Sequence, residues 1–144
     1  MTLSALPWLL SIVHDAHPGG ALSLAVVGER VYSGGHDRRI RAWRVAPGAR
    51  LVAAGEAACA GAVFALGAGA RDDELLSGGS EKAARSWRCR AGDGGGALDG
   101  GGALEPRAAL DAHTGWVRAV CAVRAPRGGA GRDVRLSIGC SGVR

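Results

Sequence analysis

Lysine and the single-ring aromatic residues are almost absent from this chain of 144 residues. Its 18 basic residues include one lysine, and it contains one tyrosine and one phenylalanine. Proteins that bind single-stranded nucleic acid stack the bases on several aromatic side chains, so this scarcity argues against that function. The remaining basic residues are arginines, which suit phosphate and carboxylate recognition, but they form no dense run.

Cysteine is present, but in no spacing that ligates zinc. The four cysteines stand at positions 59, 89, 121 and 140, and no Cys-x-x-Cys pair occurs. The sequence therefore predicts no metal site and no cofactor. Because free thiols are typical of a reducing compartment, we expect an intracellular protein, cytoplasmic or nuclear.

The chain has no apolar run long enough to cross a bilayer. Residues 3–13 are apolar over only 11 positions, whereas a transmembrane helix needs about 20. No basic segment precedes them, as it would in a secretory signal. We expect no membrane span, and we expect residues 1–13 to be a lead-in or the outer strand of a sheet.

One segment occurs twice at a fixed distance. Residues 33–43 begin with Ser-Gly-Gly and end in Arg-Ala-Trp, and residues 77–87 begin with Ser-Gly-Gly and end in Arg-Ser-Trp. Ser33 and Ser77 are 44 residues apart, as are Trp43 and Trp87. A repeat of this period indicates stacked supersecondary units.

The first copy of the segment predicts a hairpin with a fixed acid in its turn. A strand rich in β-formers ends at Ser33, Asp37 lies in the turn, and a second strand ends at Trp43. A buried carboxylate needs hydrogen-bond donors, and His17 lies upstream, before another predicted strand. We therefore expect His17, Ser33, Asp37 and Trp43 to form one hydrogen-bonded set across three strands.

These residues and their spacing resemble a WD40 repeat. The resemblance implies an all-β fold, a partial β-propeller of about three four-stranded antiparallel blades, because the period is about 40–45 residues. Closed propellers have about 4–8 blades, so the chain is too short to close a ring alone. The resemblance also makes His17, Ser33, Asp37 and Trp43 a structural tetrad. The aspartate that follows the tryptophan in the family is Arg44 or Arg88 here.

The repeats divide the chain into unequal parts. Residues 14–54 form the first repeat, with strands expected at 22–27, 30–33, 40–45 and 50–54. Residues 55–90 form a degenerate second repeat, in which Ser77, Glu81 and Trp87 stand at tetrad positions and Ala58 or Cys59 replaces the histidine. Residues 91–106 are rich in glycine and predict a linker; they lack the Gly-Lys-Ser/Thr ending of a phosphate-binding loop.

The third repeat, residues 107–144, is predicted to be truncated. His113 and Ser137 match the tetrad histidine and serine, but an acid is missing and the chain reaches Arg144 before a tryptophan. We expect an open strand edge there, and therefore self-association through open blade edges or a larger propeller of which this is a part.

The sequence leaves three interpretations of function open. The resemblance implies a non-catalytic scaffold for protein or peptide partners, and Trp116 with Arg118 is the candidate contact, because both residue types are common at binding hot spots. The alternatives are RNA binding through arginines and a truncated, non-functional fragment. The arginines in question are Arg38, Arg39, Arg41, Arg44, Arg85, Arg88 and Arg90.

Catalysis is a weaker interpretation of the same residues. His17 or His113 with Asp37 resembles an acid–base pair, with Ser33 or Ser77 as the nucleophile. We expect these residues to be structural instead and the protein not to be an enzyme. The acidic segment at residues 72–74 is expected to be a solvated turn rather than a cation site.

Overall fold

Short β-strands joined by tight turns make up every regular element that the structure describes. The computed structural model covers residues 13–90, 104–111 and 113–124, and the backbone of residues 134–139. The expected lead-in, apart from Val13, and residues 91–103 of the expected linker lie outside the described residues. Ten strands and no helix occur in the part that is described, so the predicted all-β class is confirmed.

The first sheet is an antiparallel meander whose strands follow one another in chain order. Gly28 and Ala49 adopt positive φ angles of 60° and 58° in two of its turns, the backbone region that tight hairpins require. Its strands begin within one residue of the predicted positions, although the last one extends four residues further than expected. They are β1 (Ala21–Val27), β2 (Arg30–Gly35), β3 (Arg39–Ala46) and β4 (Arg50–Ala58).

The second sheet repeats this meander and shows where the expected boundaries differ from the strands. Its strands are β5 (Val63–Ala68), β6 (Glu74–Gly79), β7 (Ala84–Cys89) and β8 (Leu104–Leu110). The last strand begins inside the expected linker and crosses its end at residue 106. Pro106 is tolerated there because β8 is an edge strand that pairs only with β7. The proline has no N–H group, and on an edge strand no second neighbouring strand needs one.

A third, two-stranded sheet consists of β9 (Val117–Val123) and β10 (Val134–Gly139). Its register repeats that of the other sheets. Val117 pairs with Gly139 as Val63 pairs with Gly79 and as Ala21 pairs with Gly35. The three sheets are therefore successive copies of one unit, of which the third shows two strands in the described part of the chain.

The core lies between the first and second sheets. Tyr32 and Ile40 from the first sheet and Leu75 from the second are fully buried, and Trp87 is 4% exposed. These side chains form one cluster with Val63. Removing such apolar surface from water is worth roughly 25 cal/mol per Å², so sheet-on-sheet packing stabilises both units.

Two glycines allow neighbouring sheets to come close. A Cβ atom at Gly34 would lie 2.5 Å from Cγ1 of Val63 in the next sheet. Gly78, at the same place in the second sheet, faces Val117 of the third sheet in the same way. The first glycine of each Ser-Gly-Gly segment thus makes room for a valine at the start of the following sheet.

The opposite face of the first sheet has no described neighbour. Leu24 and Val26 on β1 are 69% and 62% exposed. Trp43 on the same sheet is only half-buried, whereas its counterpart Trp87 is covered by the first sheet. The first sheet therefore exposes an apolar face, whereas the equivalent face of the second sheet is buried.

Candidate functional site

The four predicted tetrad residues meet in one hydrogen-bonded chain. Nε2 of His17 lies 2.7 Å from Oγ of Ser33, and Nδ1 of His17 lies 2.8 Å from Oδ1 of Asp37. The indole Nε1 of Trp43 donates to Oγ of Ser33 at 2.8 Å. These hydrogen bonds join the segment before β1 to β2, to the turn after it and to β3, so they tie two strands to the segment that precedes the sheet.

One proton arrangement satisfies every member of the chain. Trp43 donates to Ser33, the Ser33 hydroxyl donates to Nε2 of a neutral His17, and Nδ1–H of His17 donates to Asp37. Arg41 donates to Oδ2 of Asp37 at 2.5 Å. Although Nη1 of Arg41 also lies 2.7 Å from Nδ1 of His17, two donors cannot bond each other, so Arg41 serves the carboxylate.

Asp37 carries the negative charge of this set. Partial burial by itself raises its pKa, but the hydrogen bonds from Arg41 and His17 outweigh burial and hold the pKa below its usual value. The ionised carboxylate is therefore the form that the fold stabilises at neutral pH.

The arrangement has the connectivity of a Ser-His-Asp triad but not its accessibility. Ser33 is 3% exposed, and its oxygen already accepts the hydrogen bond from Trp43. His17 is 5% exposed. A nucleophile must reach a substrate carbonyl. In this geometry the hydrogen bonds among the three residues are therefore structural.

The second sheet keeps half of the tetrad. Nε1 of Trp87 donates to Oγ of Ser77 at 2.8 Å, and Arg85 pairs with Glu81 at 3.0 Å. Cys59 precedes β5 by four residues, as His17 precedes β1. Burial, followed by the charge of Glu81, raises the pKa of the Cys59 thiol to about 12, so a neutral thiol replaces the imidazole and the chain is interrupted there.

In the third sheet the backbone register assigns the tetrad positions. His113 precedes Val117 by four residues, which is the position of His17 relative to Ala21. Ser137 pairs with Val120, three residues into β9, as Ser33 pairs with Leu24, three residues into β1. Their roles in a third tetrad stay a prediction.

The first strand of each sheet carries a bulge at the same place. In β1, β5 and β9 one extra residue follows the first paired residue, opposite the end of the neighbouring strand. The extra residues are Leu22, Phe64 and Arg118. Bulges re-aim side chains and are frequent at functional sites. Since the three bulges share one register, these side chains belong to the same end of three adjacent sheets.

Trp116 and Arg118, the predicted contact residues, lie at this end and pack on Phe64. The Phe64 and Trp116 ring centroids are 5.5 Å apart. The Arg118 guanidinium carbon lies 4.9 Å from the Phe64 centroid and 5.1 Å from the Trp116 centroid. The His36 ring also contacts the Phe64 ring edge-to-face, with the two ring centroids 6.3 Å apart. We define the bulge surface by four residues, Leu22, Phe64, Trp116 and Arg118.

The bulge surface combines exposure with fixed geometry. Trp116 is 47% exposed and Leu22 39% exposed, and Arg118 is also exposed.

Phe64 was not predicted from the sequence, because a single phenylalanine in an apolar strand is typical of a core residue. The signal that identifies Phe64 is its position, one residue after the start of the first strand of a sheet, where Leu22 and Arg118 also stand.

Most arginines that the nucleic-acid hypothesis names are already paired. Within the described residues, only Arg38 and Arg44 of that set form no ion pair with a carboxylate. The pairs of the other five are Arg39 with Glu56, Arg41 with Asp37 and Glu56, Arg85 with Glu81, Arg88 with Asp73, and Arg90 with Glu105.

The acidic segment at residues 72–74 is likewise engaged in protein contacts. Asp72 pairs with Arg124, Asp73 pairs with Arg88, and the buried Glu74 accepts a hydrogen bond from the Ala70 amide. The described part of the chain holds no cluster of three potential metal ligands. It also holds no helix long and apolar enough to cross a membrane.

Comparison with known proteins defines the fold. No protein-family profile and no curated protein matches the chain. Among solved structures, it is similar to the WD40 β-propeller domain of Doa1 (TM-score 0.59, 18% identity), covering 78% of this chain and 34% of that one. It is also similar to the WD40 repeats of RRP9 (TM-score 0.55, 18% identity), covering 76% and 31%. The chain thus has the fold of consecutive WD40 propeller blades and spans about a third of these structures.

Proposed function

We propose that this chain is a non-catalytic WD40-type interaction module that holds protein or peptide partners at its bulge surface. The observation that carries the proposal is the alignment of three bulges, which presents Leu22, Phe64 and Arg118 at one end of three packed sheets. Trp116 adds a large exposed ring to the same place.

The surface has the composition of a binding hot spot on a rigid support. Tryptophan and arginine are enriched at hot spots, and tryptophan buries a large, rigid area at a low cost in conformational entropy. Here the strands below are held by the tetrad around Ser33 and by the Ser77–Trp87 bond. A preorganised surface avoids the entropic cost of ordering during association.

The nucleic-acid alternative has less support. Five of the seven arginines on which it rests are engaged in ion pairs with carboxylates. A phosphate would have to displace these carboxylates. A non-functional fragment remains the other alternative, and rapid proteolysis of the isolated chain would support it.

Two further features belong to the proposal. An intracellular location, cytoplasmic or nuclear, is consistent with free thiols at Cys59, Cys89 and Cys121. Self-association through the open face of the first sheet is consistent with the exposure of Leu24 and Val26, because large apolar patches on a surface commonly mark interfaces.

Peptide selection tests the proposed function. A random peptide library displayed on phage is selected on the immobilised full chain, and the recovered peptides are then assayed on the double variant Phe64→Ala/Trp116→Ala. We expect peptides that bind the wild-type chain and lose binding to the variant, whose thermal unfolding is checked in parallel. Recovery of no peptide, or of peptides that bind both chains equally, contradicts the proposal.

A further inference from the structure

We propose that the bulge surface selects peptide segments that carry a carboxylate beside an apolar side chain, with Arg118 binding the carboxylate. This inference rests on the proposed function and names the partner chemistry of the same surface. Phe64 and Trp116 would receive the apolar neighbour. The juxtaposition that supports it is a guanidinium stacked on two aromatic rings at an exposed end of the sheets.

Stacking on the rings gives Arg118 a defined orientation. A guanidinium within about 6 Å of a ring centroid is attracted by the ring face, and Arg118 meets this condition for two rings. Its planar set of N–H donors matches a carboxylate in a bidentate manner. In the described part of the chain no carboxylate forms an ion pair with Arg118.

The surroundings at this end of the sheets favour an anionic group. Arg38 and Lys82 occupy equivalent turns with φ angles of 62° and 65°, and both are exposed. The acids in the same turns are neutralised within the protein, Asp37 by Arg41 and Glu81 by Arg85. Complementary charge speeds encounter and selects partners, so the cations at this end favour an acidic segment.

The aromatic contacts favour a peptide over single-stranded nucleic acid. Bases bind such proteins by stacking on ring faces. Here Arg118 lies over both rings, and Phe64 and Trp116 also contact each other at 5.5 Å. A base that stacks on these ring faces would have to displace the arginine. A carboxylate can instead bond the edge of the guanidinium without disturbing the stack, and an apolar side chain can pack against the part of Trp116 that stays exposed.

The distances set the spacing of the ligand groups. The guanidinium lies 4.9 Å and 5.1 Å from the two ring centroids. An extended peptide advances about 3.3 Å per residue. Successive side chains of an extended peptide point to opposite faces, so the acidic residue and the apolar residue should be two positions apart in the partner.

Fluorescence anisotropy with a defined probe tests this inference. The probe is a fluorescein-labelled peptide, Gly-Asp-Ala-Leu-Ala-Asp-Gly, which presents aspartate and leucine on one face when extended; it is titrated with the full-length chain, and its control has asparagine in place of every aspartate. We expect Arg118→Gln to weaken binding by about tenfold or more, as loss of a charge-assisted bond implies. Arg118→Lys should give an intermediate loss, because it keeps the charge but not the planar donors.

The matched control is Arg44→Gln, which removes an exposed arginine elsewhere on the first sheet and should change the affinity less than about twofold.

Three results overturn the inference: the aspartate peptide does not bind, the asparagine peptide binds with equal affinity, or Arg118→Gln and Arg44→Gln lose the same affinity. Tighter binding of an oligouridylate of equal charge, also lost in Arg118→Gln, overturns it in favour of RNA. If selection on phage recovers only non-acidic peptides that need Phe64 and Trp116, the proposed function stands and this inference fails.

Discussion

At the scale of single residues, Asp37 links the stability of the first sheet to pH. Its pKa is below the usual value of 3.8 in the folded chain because Arg41 and His17 stabilise the carboxylate more than burial opposes it. The unfolded chain therefore binds a proton more readily than the folded one in acid. The resulting stabilisation is complete above about pH 4 and is lost as the pH falls through the folded pKa.

The substitution Asp37→Asn tests this linkage. We expect it to lower the free energy of unfolding by about 1.5–3 kcal/mol at neutral pH, the usual range for a hydrogen bond to a charged group. The loss should shrink below pH 3.8, where the wild-type carboxylate also becomes neutral. Urea unfolding followed by circular dichroism at several pH values measures both effects.

The control for this experiment is Asp72→Asn, since that side chain is 93% exposed in its pair with Arg124. Exposed pairs contribute little, so this variant should match the wild-type chain within about 0.5 kcal/mol. A loss in Asp37→Asn that is the same at neutral and acidic pH would show that the charge of Asp37 is not what stabilises the sheet.

At the scale of the sheets, two tryptophans with the same hydrogen bond have different surroundings. Trp43 and Trp87 each donate to a serine at 2.8 Å. Trp87 is buried in the contact with the first sheet, whereas Trp43 is half-buried on the open face. Substituting the two tryptophans in turn therefore separates the contribution of the hydrogen bond to stability from the contribution of packing.

Alanine substitution of each tryptophan measures that difference. Trp87→Ala should cost about 3–5 kcal/mol, as expected for a large buried aromatic side chain, and Trp43→Ala should cost clearly less. If Trp87→Ala does not fold, Trp87→Phe and Trp43→Phe provide the same comparison. Equal losses in thermal or urea unfolding would mean that the first sheet does not cover Trp87 in solution.

The contact between sheets also depends on a glycine. Gly34→Ala places a methyl group against Val63 of the next sheet, and overpacking of this kind costs about 1–3 kcal/mol. Shortening the opposing side chain relieves part of the clash, so the double variant Gly34→Ala/Val63→Ala should lose less stability than the sum of the two single variants.

A thermodynamic cycle on unfolding free energies measures this coupling. The control combines Gly34→Ala with Leu110→Ala, because Leu110 is exposed on β8 of the second sheet, and this pair should be additive. Additive losses in the Gly34–Val63 cycle would show that the two sheets do not pack as described.

At the scale of the whole molecule, the open face of the first sheet predicts association. Leu24 and Val26 are exposed there, and an apolar face without a neighbour among the described residues is favourable to cover. We expect light scattering after size exclusion to show a mass that rises with concentration. Leu24→Lys/Val26→Lys should return the chain to a monomer, whereas Leu110→Lys on the second sheet should not.

Two results contradict this prediction. A wild-type chain that is monomeric at all concentrations would mean that the face is covered within one molecule. A double variant that associates as strongly as the wild-type chain would mean that association uses another surface.

The sequence by itself determined the repeat, the strands of the first sheet and the tetrad positions. Alternation of apolar residues, turn residues such as Gly28 and the spacing from Ser33 to Trp43 are local signals, and strand formation responds to them. β8 was not predicted, because Pro106 and the glycine-rich segment before it argue locally against a strand. Only pairing with β7 makes an edge strand there.

The tertiary structure alone decided which residues meet between sheets. The pairing of Arg39, Arg88 and Arg90 with carboxylates, the cover over Trp87 and the stack of Arg118 on Phe64 and Trp116 join residues that are distant in the chain or on different strands. The alignment of the three bulges likewise appears only when strands are paired in register. The physical reason is that periodicity is encoded within each strand, whereas contacts between strands and sheets depend on register and packing.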